Sequence, residues 1–311
     1  MRSRVGSYAA DNFDVSVATN HIPASLATKT LFWSMLTAVW ISQSSARAHG
    51  ELDIRIAAAS RAIAAESNNA SLYLQRGELY REHKDWPAAA ADYDRAALLD
   101  PKAALVDFYR GRMLADAGRL PEAVKCFDQF LSRTPNDGNG FIERARVKTR
   151  TADLHAAVSD FTRGIELVNE PQPEFFLERS QTLVALGETN HALAGLDEGI
   201  KKLGPVVTLQ VYAVELELAA KNFEAALARL NTIIPQANRK ENWLAQRGEI
   251  ELQASRHVAA RASFEAALRA IDILPARLQL NRPMAELRAH VNQMLATTTN
   301  APTKAATNSL K

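Results

Sequence analysis

Residues 72–101 read LYLQRGELYREHKDWPAAAADYDRAALLDP. A small residue, Gly77, sits in the first half, an alanine-rich segment with Tyr93 in the second, and Pro101 closes the stretch. Counted from Ala70, Gly77 is eighth, Ala89 twentieth, Tyr93 twenty-fourth, Ala96 twenty-seventh and Pro101 thirty-second. The pattern returns at a step of 34, in windows 70–103, 104–137 and 138–171. After one inserted residue, Gln172, it continues through 173–206, 207–240 and 241–274. The eighth position reads Gly77, Gly111, Ala145, Ser180, Val214 and Gly248. Alanine holds the twentieth in every window: Ala89, Ala123, Ala157, Ala192, Ala226 and Ala260. The twenty-fourth is always large and apolar, as Tyr93, Phe127, Phe161, Leu196, Leu230 and Phe264.

These residue types have a physical reading. Two antiparallel helices approach closely only where side chains are small, so the eighth and twentieth positions are expected to face each other. The large residue at the twenty-fourth is expected to fill the groove toward the next hairpin. Pro101, Pro135, Asn169, Gly204, Asn238 and Asp272 at the thirty-second are poor helix continuers and end the second helix. One hairpin cannot bury both faces, so hairpins must stack. Composition agrees: 47% of residues are hydrophobic but only 7% aromatic, which favours helices packed through small side chains over a sheet.

The pattern resembles the tetratricopeptide repeat family, whose signature has a small residue at eight, alanine at twenty, an aromatic at twenty-four, alanine at twenty-seven and proline at thirty-two. The first window matches all five and adds Tyr80 at the family's aromatic eleventh position. Departures are Phe130 and Ile233 at twenty-seven, Val214 at eight, and Lys148, Glu217 and Glu251 at eleven. The fifth window is therefore expected to pack more loosely. The resemblance implies an all-α fold, an α-solenoid wound as a right-handed superhelix of six repeats. Flanking segments complete it. In 49–69, Ile54, Ala58 and Ile63 lie at helical spacing and suggest an N-terminal capping helix; 275–296, opening at Pro283, suggests a C-terminal one. The tail 297–311 is poor in apolar residues and reads as disordered.

Residues 1–48 read as a leader. Thr30–Ala46 carries no charge, Lys29 precedes it, and Ala46-Arg47-Ala48 is a small-x-small cleavage pattern. The expectation is a signal peptide cleaved after Ala48 and a periplasmic or secreted protein; the alternative is a retained signal anchor. Cleavage would remove four basic residues (Arg2, Arg4, Lys29, Arg47) and two acidic ones (Asp11, Asp14), leaving 37 − 4 = 33 basic and 35 − 2 = 33 acidic. A neutral chain lacks the basic excess that phosphate backbones require, so nucleic acid is not an expected partner. No membrane span is expected after cleavage.

Chemistry is sparse. There is no Gly-rich phosphate loop, G-x-S-x-G or H-E-x-x-H, and repeats follow one another with at most one inserted residue, which leaves no loop for a catalytic site. Neither an enzyme nor a cofactor is expected. Cys126, the single cysteine, reads as packing. His83, His155, His191, His257 and His290 are spread over different segments without metal spacing. Cleavage would expose His49 as an N-terminus able to chelate copper, an alternative function as a metal-handling accessory protein. Arginine precedes the eighth position at Arg76, Arg110, Arg144, Arg179 and Arg247. Asp92 and Asp160, at the twenty-third position, offer ion pairs to Arg76 and Arg144, whereas Arg110 faces Cys126.

In this family the first helix of each unit lines the concave groove. Carried over by position, the groove would hold Leu74, Phe108, Ile142 and Leu177 as an apolar stripe, with Tyr109 and Tyr212 as amphipathic contacts. Arg112, Arg146 and Arg150 would make one end basic, and Glu178, Glu215 and Glu249 the other acidic. Inter-repeat packing is the competing reading of the stripe. The family's carboxylate clamp is missing, since its positions hold Leu74, Glu78, Phe108 and Arg112. The expected function is a non-catalytic scaffold that binds a peptide or protein segment, an adaptor or assembly factor of the cell envelope. A self-associating structural scaffold is a further alternative.

Overall fold

A computed structural model describes residues 50–299; the expected leader and cleavage site in residues 1–48, His49 and residues 300–311 lie outside the described residues. The chain divides into two compact units, 1–55 and 56–311. Of the first, the described part, 50–55, is helical.

The described residues form helices and no strands. After α1 (50–65) come the hairpins α2–α3 (Ala70–Glu82, Trp86–Leu99), α4–α5 (Leu105–Asp116, Leu120–Arg133) and α6–α7 (Gly138–Arg150, Leu154–Leu167). They continue as α8–α9 (Pro173–Ala185, Thr189–Leu203), α10–α11 (Val207–Ala219, Phe223–Ile233) and α12–α13 (Glu241–Gln253, His257–Asp272). A short α14 (Ala276–Gln279) and α15 (Arg282–Thr299) follow. Each window of the sequence holds one hairpin, and each hairpin packs on the next. The unit 56–299 is an α-solenoid.

The repeat positions form the core. All six alanines at the twentieth position are fully buried, and no residue at the twenty-fourth is more than 1% exposed. The eighth position meets the twentieth where Ser180 Oγ donates to the Ala192 carbonyl (3.1 Å), and at its glycines it closes on the ring at the twenty-fourth of its own hairpin, a contact the sequence reading did not include. A Cβ on Gly77 would lie 2.4 Å from the Tyr93 ring, and one on Gly248 would lie 2.6 Å from the Phe264 ring. Where the twenty-fourth residue is the smaller leucine, the eighth is larger: Ser180 with Leu196, Val214 with Leu230. The fifth repeat is therefore not loose. Val214 is 1% exposed and Leu230 fully buried, because valine fills the space an aromatic ring would have taken.

Every hairpin turns in the same way, and the sequence only partly announces it. The fifteenth residue of each repeat is left-handed: Lys84, Gly118, Ala152, Gly187, Lys221 and Ser255, with φ between 58° and 78°. The next amide N–H donates to the carbonyl five residues back, as in Asp85 to Tyr80 (2.9 Å) and Arg256 to Glu251 (2.7 Å). This is the Schellman closure, which satisfies carbonyls at the helix end and permits a three-residue turn.

The ends differ from expectation in detail. Ile63 of α1 is buried, but Ile54 and Ala58 are exposed; the covered side runs through Ile56, Ala59 and Ile63. At the other end α15 packs on α12 and α13 and buries Met284 and Val291. It runs to Thr299 rather than stopping at 296, with the Thr297 and Thr298 hydroxyls donating to the Met294 and Leu295 carbonyls. No helix among the described residues is long and apolar enough to cross a membrane.

Candidate functional site

The first helices α2, α4, α6, α8 and α10 neighbour one another in that order, held by the hairpin cores behind them. On this face a cavity of about 320 Å³ opens between α6 and α8. Its floor is the Phe161 ring, the large twenty-fourth residue of the third repeat; Thr149, Thr182, Gln181 and Ala185 line it, and Arg146, Arg150 and Glu178 stand around it. The two threonine hydroxyls are committed, Thr149 donating to the Ala145 carbonyl (3.0 Å) and Thr182 to that of Glu178 (2.8 Å). Bonds of this kind leave no hydroxyl hydrogen for a ligand, so the two threonines have nothing to donate to one.

The charges around the slot are mostly spent on one another. Arg146 Nε donates to Glu178 (2.9 Å) and Nη1 to Glu143 (2.9 Å), with the guanidinium 5.7 Å from the Phe175 ring centre. Burial alone would lower the Arg146 pKa, but Glu178 and Glu143 outweigh it and hold the group above its ordinary value. Arg150 differs. Its Nη1 donates to the Ala115 carbonyl of α4 (2.9 Å), and among the described residues it has no carboxylate partner. It also borders a second cavity, of about 370 Å³, with Arg81, Glu82, Lys84, Trp86 and Asp116.

The other expected groove residues fall into three groups. Leu74 (7% exposed) and Ile142 (1%) are buried packing residues, so they are corrected from ligand contacts to core. Leu177 is half-buried and packs against the core of the third and fourth repeats. Phe108 and Tyr109 are half-buried in an aromatic cluster: Phe108 lies edge-on to Tyr109 (5.6 Å) and Phe127 (5.9 Å), and Tyr109 stacks on Tyr93 at 6.3 Å. Tyr212 is half-buried and Glu215 exposed on α10, where burial and Glu215 raise the tyrosine's pKa. Glu249 is bonded to His290 of α15 at 2.6 Å.

The polarised groove expected from sequence is not what these contacts make. Arg112 is paired with Glu78 of the preceding repeat (2.8 Å), as Arg146 is with Glu178 of the following one, so acid and base alternate along the face. Glu78 also accepts from Arg81 and from the Tyr93 hydroxyl (2.7 Å). Burial, followed by that bond, raises the Tyr93 pKa far above the tyrosine range. Sequence reasoning named Arg146, Arg150 and Glu178 but missed Thr149, Gln181, Thr182 and Ala185, which become neighbours only once α6 and α8 lie side by side. Cys126 is buried, and burial pushes its thiol pKa up, in keeping with packing. No cluster of three His, Cys, Asp or Glu among the described residues is placed to hold a metal ion.

No family model matches the chain. Tetratricopeptide repeat protein 16 of Mus musculus is 26% identical over an alignment of 129 residues that covers 37% of this chain and only 17% of the mouse protein. Among solved structures, the C-terminal part of a TPR repeat-containing protein from Cytophaga hutchinsonii superposes with a TM-score of 0.58 at 13% identity, over 77% of this chain and 95% of that one. A tetratricopeptide repeat protein from Parabacteroides merdae gives a TM-score of 0.47 at 17% identity, over 83% and 96% of the two chains. The six sequence windows, the six hairpins and the likeness to the Cytophaga structure together give this chain the fold of a tetratricopeptide-repeat solenoid.

Proposed function

We propose that the chain is a non-catalytic binding scaffold whose first-helix face holds a segment of a partner protein. An apolar side chain of the partner enters the slot between α6 and α8, and Arg150 bonds a carbonyl or carboxylate of the partner beside it. The observation that carries this reading is the slot itself: an aromatic floor, hydroxyls turned back on their own helices, and one arginine without a carboxylate partner. Burying one leucine-sized side chain there is worth roughly 2 kcal/mol, enough to select a partner but not to bind it alone, so neighbouring repeats must add contacts. We further propose that the protein works in the cell envelope, on the strength of the leader in residues 1–48.

The test is capture from an envelope extract by the purified chain and by an Ala185→Trp variant. Ala185 is exposed at the slot, so the indole would block it without breaking the Arg146–Glu178 pair. The variant must first melt as the parent does. A partner held by the parent and lost by the variant supports the reading; equal capture removes the slot from it. Sequencing the N-terminus of the chain recovered from that fraction tests the leader, with His49 expected first.

A further inference from the structure

The arginines at the seventh position provide an internal comparison. Arg144 is bonded to two carboxylates: Asp160, twenty-third in its own repeat, through Nε and Nη2 (both 2.7 Å), and Asp128, twenty-fifth in the preceding repeat, through Nη1 (2.7 Å). Arg76 has Asp92 (2.8 and 2.7 Å) and, at the equivalent place on α1, Ser60 (3.0 Å). Arg110, which faces Cys126, takes Asp94 of the preceding repeat instead (2.5 Å).

Arg179 has Gly195 at the twenty-third position and bonds Glu198 of its own repeat instead (2.6 Å), whereas Arg247 of the sixth repeat has no carboxylate within hydrogen-bond distance among the described residues. Its twenty-third partner is Ser263, which accepts from Nε (2.9 Å), and the twenty-fifth residue of the preceding repeat is Asn231. Glu251 is 3.9 Å from Nε and receives the Ser263 hydroxyl (2.5 Å). Among the described residues, neither terminal nitrogen of Arg247 has a hydrogen bond. A cavity of about 470 Å³ lies here between α11, α12 and α13, lined by Arg247, Asn231 and Ser263 and by the apolar Leu227, Ala228 and Ala262. The two acids at its edge are engaged, Glu224 with Arg256, and Glu251 with the Ser263 hydroxyl through one oxygen and, at 3.9 Å, with Arg247 Nε through the other, which leaves the terminal nitrogens of Arg247 open.

We propose that this cavity is a carboxylate-binding site. The ligand's carboxylate takes the place that Asp128 holds beneath Arg144, accepting from the terminal nitrogens of Arg247 with the Asn231 amide beside it. A guanidinium fork presented to a carboxylate is a strong and directional arrangement, and the small lining residues leave room for a short carbon chain. The carboxylate belongs either to a small acid or to an acidic side chain of a peptide. The site is remote in sequence from the slot between α6 and α8, so it stands whether or not that slot binds a partner.

The test is calorimetric titration with succinate and with the peptide acetyl-Ala-Asp-Ala-amide, each matched by a neutral control, succinamide and the Asn peptide, at constant ionic strength. Binding by either acidic probe but not by its control supports the site, and the probe that binds identifies the source. Asn231→Asp supplies from within the chain the carboxylate that Asp128 gives Arg144. Asn231 is exposed, so the variant folds. It is expected to melt higher than the parent and to bind the probe about tenfold more weakly or less. Arg247→Met is expected to lose binding altogether. No binding of either acidic probe, binding unchanged in Asn231→Asp, or an unraised melting point in that variant would each overturn the proposal.

Discussion

The volume exchange between the eighth and twenty-fourth positions can be tested as a thermodynamic coupling in the sixth repeat. A methyl group added at Gly248 would stand 2.6 Å from Cε1 and 2.7 Å from Cδ1 of Phe264, a fully buried ring. Carbon atoms settle at about 3.5–4.0 Å, so ring and helix must part by roughly 1 Å. Overpacking of this kind costs about 1–3 kcal/mol, against a gain of about 1 kcal/mol from replacing a helical glycine by alanine. Gly248→Ala alone should therefore destabilise by about 1 kcal/mol. Phe264→Leu alone leaves a void over Gly248 and should cost about 1–2 kcal/mol. In the double variant the methyl occupies the void, as Val214 does above Leu230, so the loss should shrink to about 0.5 kcal/mol, a coupling of about 2 kcal/mol. Urea unfolding, followed by circular dichroism and by the fluorescence of Trp243 in the same repeat, measures the cycle. Losses that simply add, to within about 0.5 kcal/mol, would refute the reasoning that these two positions share one volume.

Three further outcomes follow from the same packing. Ala152 is left-handed at φ 60° where two other repeats have glycine, so Ala152→Gly should stabilise by about 1 kcal/mol, and Gly187→Ala (φ 78°) should destabilise by a similar amount in the same urea assay. Asp92→Ala strands the Arg76 guanidinium in a part-buried site; the loss, discounted for the 20% exposure of the arginine, should be about 2–3 kcal/mol by chemical denaturation. Tyr93 has a folded-state pKa above its unfolded value of 10.0, raised first by burial and then by Glu78, so its contribution is complete below pH 10 and is lost as pH climbs above it. Melting points measured upward from pH 9 should fall for the parent and fall less steeply for Tyr93→Phe.

Much of the fold was legible because the packing rule is periodic: Ala89 and its five counterparts carry the whole register. The turn was not, because the left-handed position is a backbone demand that Lys84, Ala152, Lys221 and Ser255 meet without advertising it. The site was legible only in part. Leu74 and Ile142 occupy a register that faces the groove in outline, yet their apolar side chains are drawn into the cores between helices. The charges misled for a related reason. Arg110 finds Asp94 sixteen residues back in the preceding repeat, and Arg146 finds Glu178 in the next, pairings that exist only after stacking.

The most direct test of the binding face is photo-crosslinking in cells from a reactive residue placed at Gln181, which lines the slot, and in parallel at Val258, 86% exposed on α13. A partner band from position 181 and none from position 258 is the result expected if the slot holds the partner. A band from 258 alone, or bands of equal strength from both, would contradict it.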